Sequence, residues 1–250
     1  MVFNLALLFL FKIWQDNLIQ INNIKSKNMQ KQKIYFIVIF VVLSLLAFQV
    51  PIAKIIGSTK SFTLFELFAP IGGMFLGPIF GGISAFIVRL FNLILHKQNL
   101  DLLALLQFLP AILGAVYFGL KGKKIAIIFP ICIALFILNP IGRQAWLYSA
   151  IWIIPFVATF YKKNLFLNSL GATFTAHAVG STIYLYAFGL TPVIWLALIP
   201  VVFLERGFFT VGIFASYLIM NTVLSKISAL EKFTNKDYLI NPKFNFNAKS

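Results

Sequence analysis

FTLFELFAPIGGMFLGPIFGGISAFIVRLFNLILH, residues Phe62 to His96, decides how the chain is read. Gly73, Gly77, Gly81 and Ala85 recur at every fourth position, which clears one side of a helix and lets a neighbouring backbone approach. The Gly77-Pro78 step interrupts the run, because proline cannot continue the hydrogen-bond ladder. The stretch therefore predicts a short helix and a longer one meeting at a tight internal turn. Arg89 then stands inside the second, apolar piece, and an intramembrane cation is by default a functional candidate.

Composition places that stretch in lipid. Hydrophobic residues make up 60% of the 250 and charged residues 11%, with 29 phenylalanines, which is far more apolar than a soluble domain. Several runs approach the ~20 residues that a helix needs to cross a ~30 Å hydrocarbon core. Nothing alternates in the manner of a membrane β-barrel. The expected class is all-α, a polytopic transmembrane bundle in the cell membrane. The net charge of +15 is spread over helix ends and forms no aromatic-interleaved surface, so no nucleic-acid partner is expected. Cys132 is alone, which excludes a disulfide framework, and no spacing suits a metal.

Working outward, residues 1–33 read as an apolar then polar N-terminal segment, with Met29 a candidate alternative start. Residues 34–224 read as the bundle and 225–250 as a basic cytoplasmic tail. Passes are expected at Ile34 to Ile56, the broken pair, Asp101 to Leu120, Ile125 to Leu138, Gln144 to Tyr161, Leu165 to Phe188 and Pro192 to Leu224. Lys25, Lys27, Lys31, Lys33, the Lys121, Lys123 and Lys124 cluster, Lys162 and Lys163 then fall on one side. Only Lys54, Lys60, Lys97 and Arg143 fall on the other, so about eight crossings with both termini cytoplasmic are expected.

Arg89, Glu205 and Arg206 are the deep charges, and Arg89 and Glu205 share a depth. Either Glu205 neutralises an arginine and locks helices together, or a cavity leaves a cation open to an anionic group. Thr173, His177, Ser181 and Tyr184 form one helix face, and Ala172, Ala176 and Gly180 form an adjacent small face suited to packing. Asn92, Gln107, Trp146, Trp152, Tyr184 and Trp195 are candidates to surround a ring-containing ligand, although membrane-boundary belts explain tryptophans equally well. His177 and Ser181 share one helix with no nucleophile motif, which argues against an intramembrane enzyme.

The residues from Phe62 to Asn92, with SLGATFTAHAVGSTIYLY and PVIWLALIPVVFLERGFF near the end, resemble the substrate-binding S component of energy-coupling factor vitamin transporters. The resemblance implies about six core helices, beside which the hairpin 125–161 is additional. It implies a vitamin or precursor bound in the outward half, with Arg89, Asn92, Gln107, His177, Ser181, Tyr184, Trp195 and Glu205 at the site. Arg206 joins them as a neighbouring deep charge. It also implies a coupling membrane subunit and cytoplasmic ATPases as partners, with no cofactor in this chain. The other reading is a membrane scaffold without a ligand, which predicts a filled interior and fully paired charges.

Overall fold

The computed structural model describes residues 37–54 and 61–230, the last five of these by their backbone. The chain divides into two units, Met1–Ile39 and Phe40–Ser250, and the helices and strands from Phe40 onward belong to the second. The expectations for residues 1–33, Met29 and the end of the tail lie outside the described residues.

The Gly77-Pro78 step acts as the sequence suggests. Helix α2 (Phe65–Leu76) and helix α3 (Pro78–Leu95) are joined by Gly77 alone, at φ 84° and ψ 165°. That backbone region strongly favours glycine, and Pro78 then sits in the first turn of α3, where a missing N–H costs nothing. Beside this turn runs a seam of close backbone approach. A Cβ on Gly73 would fall 1.8 Å from the Ala115 carbonyl oxygen, and one on Gly81 would fall 2.4 Å from Gly73 Cα. Helix α5 (Leu109–Gly119) completes the seam, since a Cβ on Gly119 would fall 2.1 Å from Gly73 O. Continuing from the seam along the same sides of these helices, Phe65, Ala69, Ala85, Val88, Ala111 and Ala115 form the apolar core that they share.

Ala172 and Gly180 lie against α5, near Gly114 and Pro110 respectively, as expected of the small face. They belong to helix α10 (Leu165–Ala187), whose N-terminus is capped by the Asn164 side chain accepting from Leu167 N at 3.1 Å. Helix α11 (Pro192–Leu230) follows; its 39 residues span about 58 Å at 1.5 Å per residue.

Several expected boundaries are corrected. The first pass does not run to Ile56: helix α1 (Ile37–Phe48) ends before Pro51, which opens a strand. Proline blocks helix at the preceding residue and cannot donate to the ladder. Strand β1 (Pro51–Lys54) pairs antiparallel with β2 (Ser61–Thr63), so the chain is not purely helical. The pass from Asp101 keeps its expected extent, Leu102–Gly119, but turns at Gln107 and Phe108, just before Pro110, between α4 (Leu102–Leu106) and α5. The hairpin 125–161 is broken finer still. After a 3-10 turn at Lys123–Ile127 come α6 (Ile128–Leu138), α7 (Pro140–Gln144), α8 (Trp146–Ala150) and α9 (Ile153–Ala158), then a 3-10 turn at Thr159–Tyr161. Pro140 and Pro155 keep these pieces short. At the C-terminal end the tail does not start at Ser225, because α11 continues through SKISAL, which contains no breaker.

Among the described residues, three helical stretches are long and apolar enough to cross a membrane: Pro78–Leu95, Leu102–Gly119 and Pro192–Ser225. Large apolar side chains stand on their outer faces, with Leu204 77% and Ile79 72% exposed. Such a surface is compatible with a membrane protein.

Candidate functional site

The two helical hairpins set the level of each charged side chain. Glu66 lies eleven residues before Gly77 and Arg89 twelve after it, so the antiparallel pair α2 and α3 brings them side by side. Arg89 Nη2 donates to Glu66 Oε1 at 2.6 Å. In the second hairpin, Thr173 lies sixteen residues before Gly189 and Arg206 sixteen after Leu190. Arg206 Nη1 donates to Thr173 Oγ1 at 3.3 Å, and its Nη2 donates to Glu205 Oε2 at 3.3 Å.

Both guanidinium groups rest on aromatic faces. Arg89 lies 5.0 Å from the Phe48 ring centroid and 5.4 Å from that of Phe65. Arg206 lies 5.0 Å from Phe62 and 4.6 Å from Phe209. Cation–π contact of this kind partly replaces lost water. Each guanidinium nevertheless keeps a buried Nε–H without a hydrogen-bond partner, as does the Trp195 indole.

These groups border a cavity of about 630 Å³. Arg89 and Asn92 of α3, Gln107 at the α4–α5 bend, and His177, Ser181 and Tyr184 of α10 all lie on its wall. Trp195, Glu205 and Arg206 of α11 complete the set, so these nine residues, expected at the site from the sequence, line one hollow. Strand β2 adds Phe62 and Thr63 to the wall. A volume of this size falls in the range of ~300–1,000 Å³ typical of small-molecule sites.

The cavity floor carries a hydroxyl relay. Tyr148 Oη sits 3.3 Å from His177 Nε2 and 3.1 Å from Ser181 Oγ, in hydrogen-bond reach of both. Its ring packs edge-on to Trp195 at 4.8 Å and stacks on Phe136 at 5.5 Å. Near the opposite end of α3, Gln49 Nε2 donates to Asn92 Oδ1 at 3.1 Å, while Asn92 O faces His96 Nδ1 at 2.9 Å. Among the described residues no cluster of three or more His, Cys, Asp or Glu is placed to hold a metal ion.

The structure sorts the expected site residues. Arg89 is not a free cation, since Glu66 neutralises it and so joins Arg89, Glu205 and Arg206 as a further deep charge. Of the two arginines expected as its partner, Glu205 takes its chain neighbour Arg206. Trp146 and Trp152 are absent from the wall: Trp146 is 57% exposed, whereas Trp152 is fully buried among Phe136 and Tyr148. The small face divides, for Ala176 and Gly180 line the cavity as well as facing α5. Sequence reasoning missed Glu66 and Tyr148. Near-equal distance of Glu66 and Arg89 from the Gly77 turn was the signal that pointed to Glu66; Tyr148 sits in a broken stretch with no period to read.

No known protein family matches the chain, and neither a curated protein nor a solved structure does. The functional reading therefore rests on the geometry.

Proposed function

We propose that the chain is a membrane-embedded capture protein for a small polar solute, of the kind represented by the S components it resembles. The supporting observation is the 630 Å³ cavity, whose wall combines two ion pairs, the Tyr148 relay and amide side chains with aromatic faces. Buried polar groups concentrated on a hollow are costly unless something polar fills it. The cavity touches Leu190 in the α10–α11 turn and Gln98 beyond α3, the end away from Gly119 and the Lys121 cluster. Lysine-rich loops stay cytoplasmic, so the cavity faces outward and both chain ends lie inside. Uptake then needs energy from elsewhere, supplied by a coupling membrane subunit and cytoplasmic ATPases.

One observation favours a scaffold without a ligand: Arg89, Glu205 and Arg206 are all paired. The open volume speaks against it. Thermal-shift measurement of the full chain in nanodiscs against vitamins and small metabolites separates the two. Capture predicts that at least one compound raises the melting temperature by several degrees, and that Ser181→Ala or His177→Ala shrinks the rise. A flat response across the panel supports the scaffold.

A further inference from the structure

The charged groups of the cavity form an alternating row across three helices. Arg89 stands on α3, Glu66 on α2, and Arg206 with Glu205 on α11, and α2 packs against both α3 and α11. Glu66 bonds Arg89 on one side. On its other side Phe62, four residues earlier, lies on the Arg206 guanidinium, and Glu66 acts electrostatically on Arg206 as well. The order of charge is therefore plus, minus, plus, minus, with no net formal charge.

The four members are not equally open. The side chains of Arg89, Glu66 and Glu205 are 20%, 18% and 21% exposed, whereas that of Arg206 is 5% exposed, closed in by Phe62, Phe209 and Thr173. What the cavity offers is one guanidinium at the α3 end and an incompletely used carboxylate at the α11 end. Glu205 has a poor internal partner, because adjacent residues on a helix point about 100° apart and its bond to Arg206 is long at 3.3 Å. A purely anionic solute would meet two carboxylates and a single open guanidinium already held by Glu66.

Resting on the capture reading, we infer that the solute is zwitterionic, its cationic N–H group seated on Glu205 and its carboxylate or equivalent acceptor on Arg89. Trp195, Tyr184 and Tyr148 border the space between the two poles, where the body of the molecule lies. A dipolar ligand laid antiparallel to the row adds no net charge to a low-dielectric site, which is what makes its transfer from water tolerable.

The test uses the full chain in nanodiscs and a metabolite panel sorted by charge at pH 7. It contains a matched set in which one indole ring carries a zwitterionic, cationic, anionic or neutral side chain: tryptophan, tryptamine, indole-3-propionate and indole-3-ethanol. The expected result is that the strongest stabilisers are zwitterions, and that Glu205→Gln weakens them roughly tenfold in Kd, the loss of one charge-assisted hydrogen bond. Anionic members should bind no worse to Glu205→Gln, and Arg89→Gln should weaken zwitterions through their carboxylate. If the best binders are anions or neutral compounds, the inference is overturned while capture stands. If no compound of any class binds, both fall. Ranking on the unmodified protein decides the matter even where a variant fails to fold.

Discussion

The Glu66–Arg89 pair allows the stiffness of the cavity wall to be measured without knowing any ligand. Glu66→Gln removes the charge but keeps the shape, leaving Arg89 between Phe48 and Phe65 with a neutral acceptor. Breaking a fully buried pair costs about 3–5 kcal/mol, while a surface pair is worth about 0–1 kcal/mol. The two side chains, Arg89 and Glu66, are 20% and 18% exposed, towards a cavity that admits water, so the single substitution should cost about 1.5–3 kcal/mol. Arg89→Met should cost less, about 1–2 kcal/mol, because Arg206 remains near enough to stabilise the orphaned Glu66. The double variant should recover about 1–2 kcal/mol of the summed loss. Equilibrium unfolding by SDS titration in mixed micelles, followed by far-UV circular dichroism, gives all four corners of the cycle. Coupling below about 0.3 kcal/mol would refute the reasoning, since it would make the pair a screened surface contact.

The glycine seam gives a sharper contrast. Gly73→Ala places a Cβ 1.8 Å from a backbone oxygen that cannot move alone, and should cost more than about 3 kcal/mol in the same titration. Gly207, with nothing within 4 Å of its would-be Cβ, should accept alanine neutrally or gain up to about 1 kcal/mol in helix propensity. Lys162 supplies a pH signature at the other end of the molecule. Its ammonium donates to the Tyr117 carbonyl and, at 2.7 Å, to that of Leu120, and lies 3.9 Å from the Tyr117 ring centroid. Burial lowers its pKa from 10.5 to about 8. The unfolded chain thus binds the extra proton between those values, so stability should rise with pH from about 8 to 10.5, a gain absent below pH 8. Lys162→Met should flatten that rise in melts recorded across the window.

Much of the site was legible because deep charges and small residues are rare enough in an apolar chain to stand out. The Gly77-Pro78 break and the four-residue glycine period each carry a steric reason visible in one dimension. Glu66 was passed over because FELF opens a helix, where a carboxylate has an ordinary place near the N-terminus. Its role depends on the turn length between it and Arg89. The β1–β2 hairpin was illegible for another reason: PIAK and SFT are too short to show a period, and their pairing is set by the helices they join. Hydropathy also ran α8 and α9 together, since Trp146 to Tyr161 is largely apolar and the turn between them, Ile151 and Trp152, carries no polar residue.

The cavity follows from the opposed sense of the two hairpins. The α2–α3 pair closes at Gly77, and one turn in from it, at Gly73, Gly81 and Gly119, three backbones touch. The α10–α11 pair closes at the other end, where Leu190 borders the hollow. The open end of the first hairpin therefore lies level with the closed end of the second. Side chains some eleven to sixteen residues from either turn meet in the space between. Packing density supplied by glycine at one end leaves the volume at the other to be bordered by longer, polar side chains. An arginine is the residue best able to bridge such a gap, because its planar head can rest on aromatic rings while reaching an oxygen on the next helix. Arg89 and Arg206 do this from opposite hairpins, each with one side on phenylalanine and the other on an oxygen acceptor. The polar wall and the close-packed seam are thus two consequences of one arrangement.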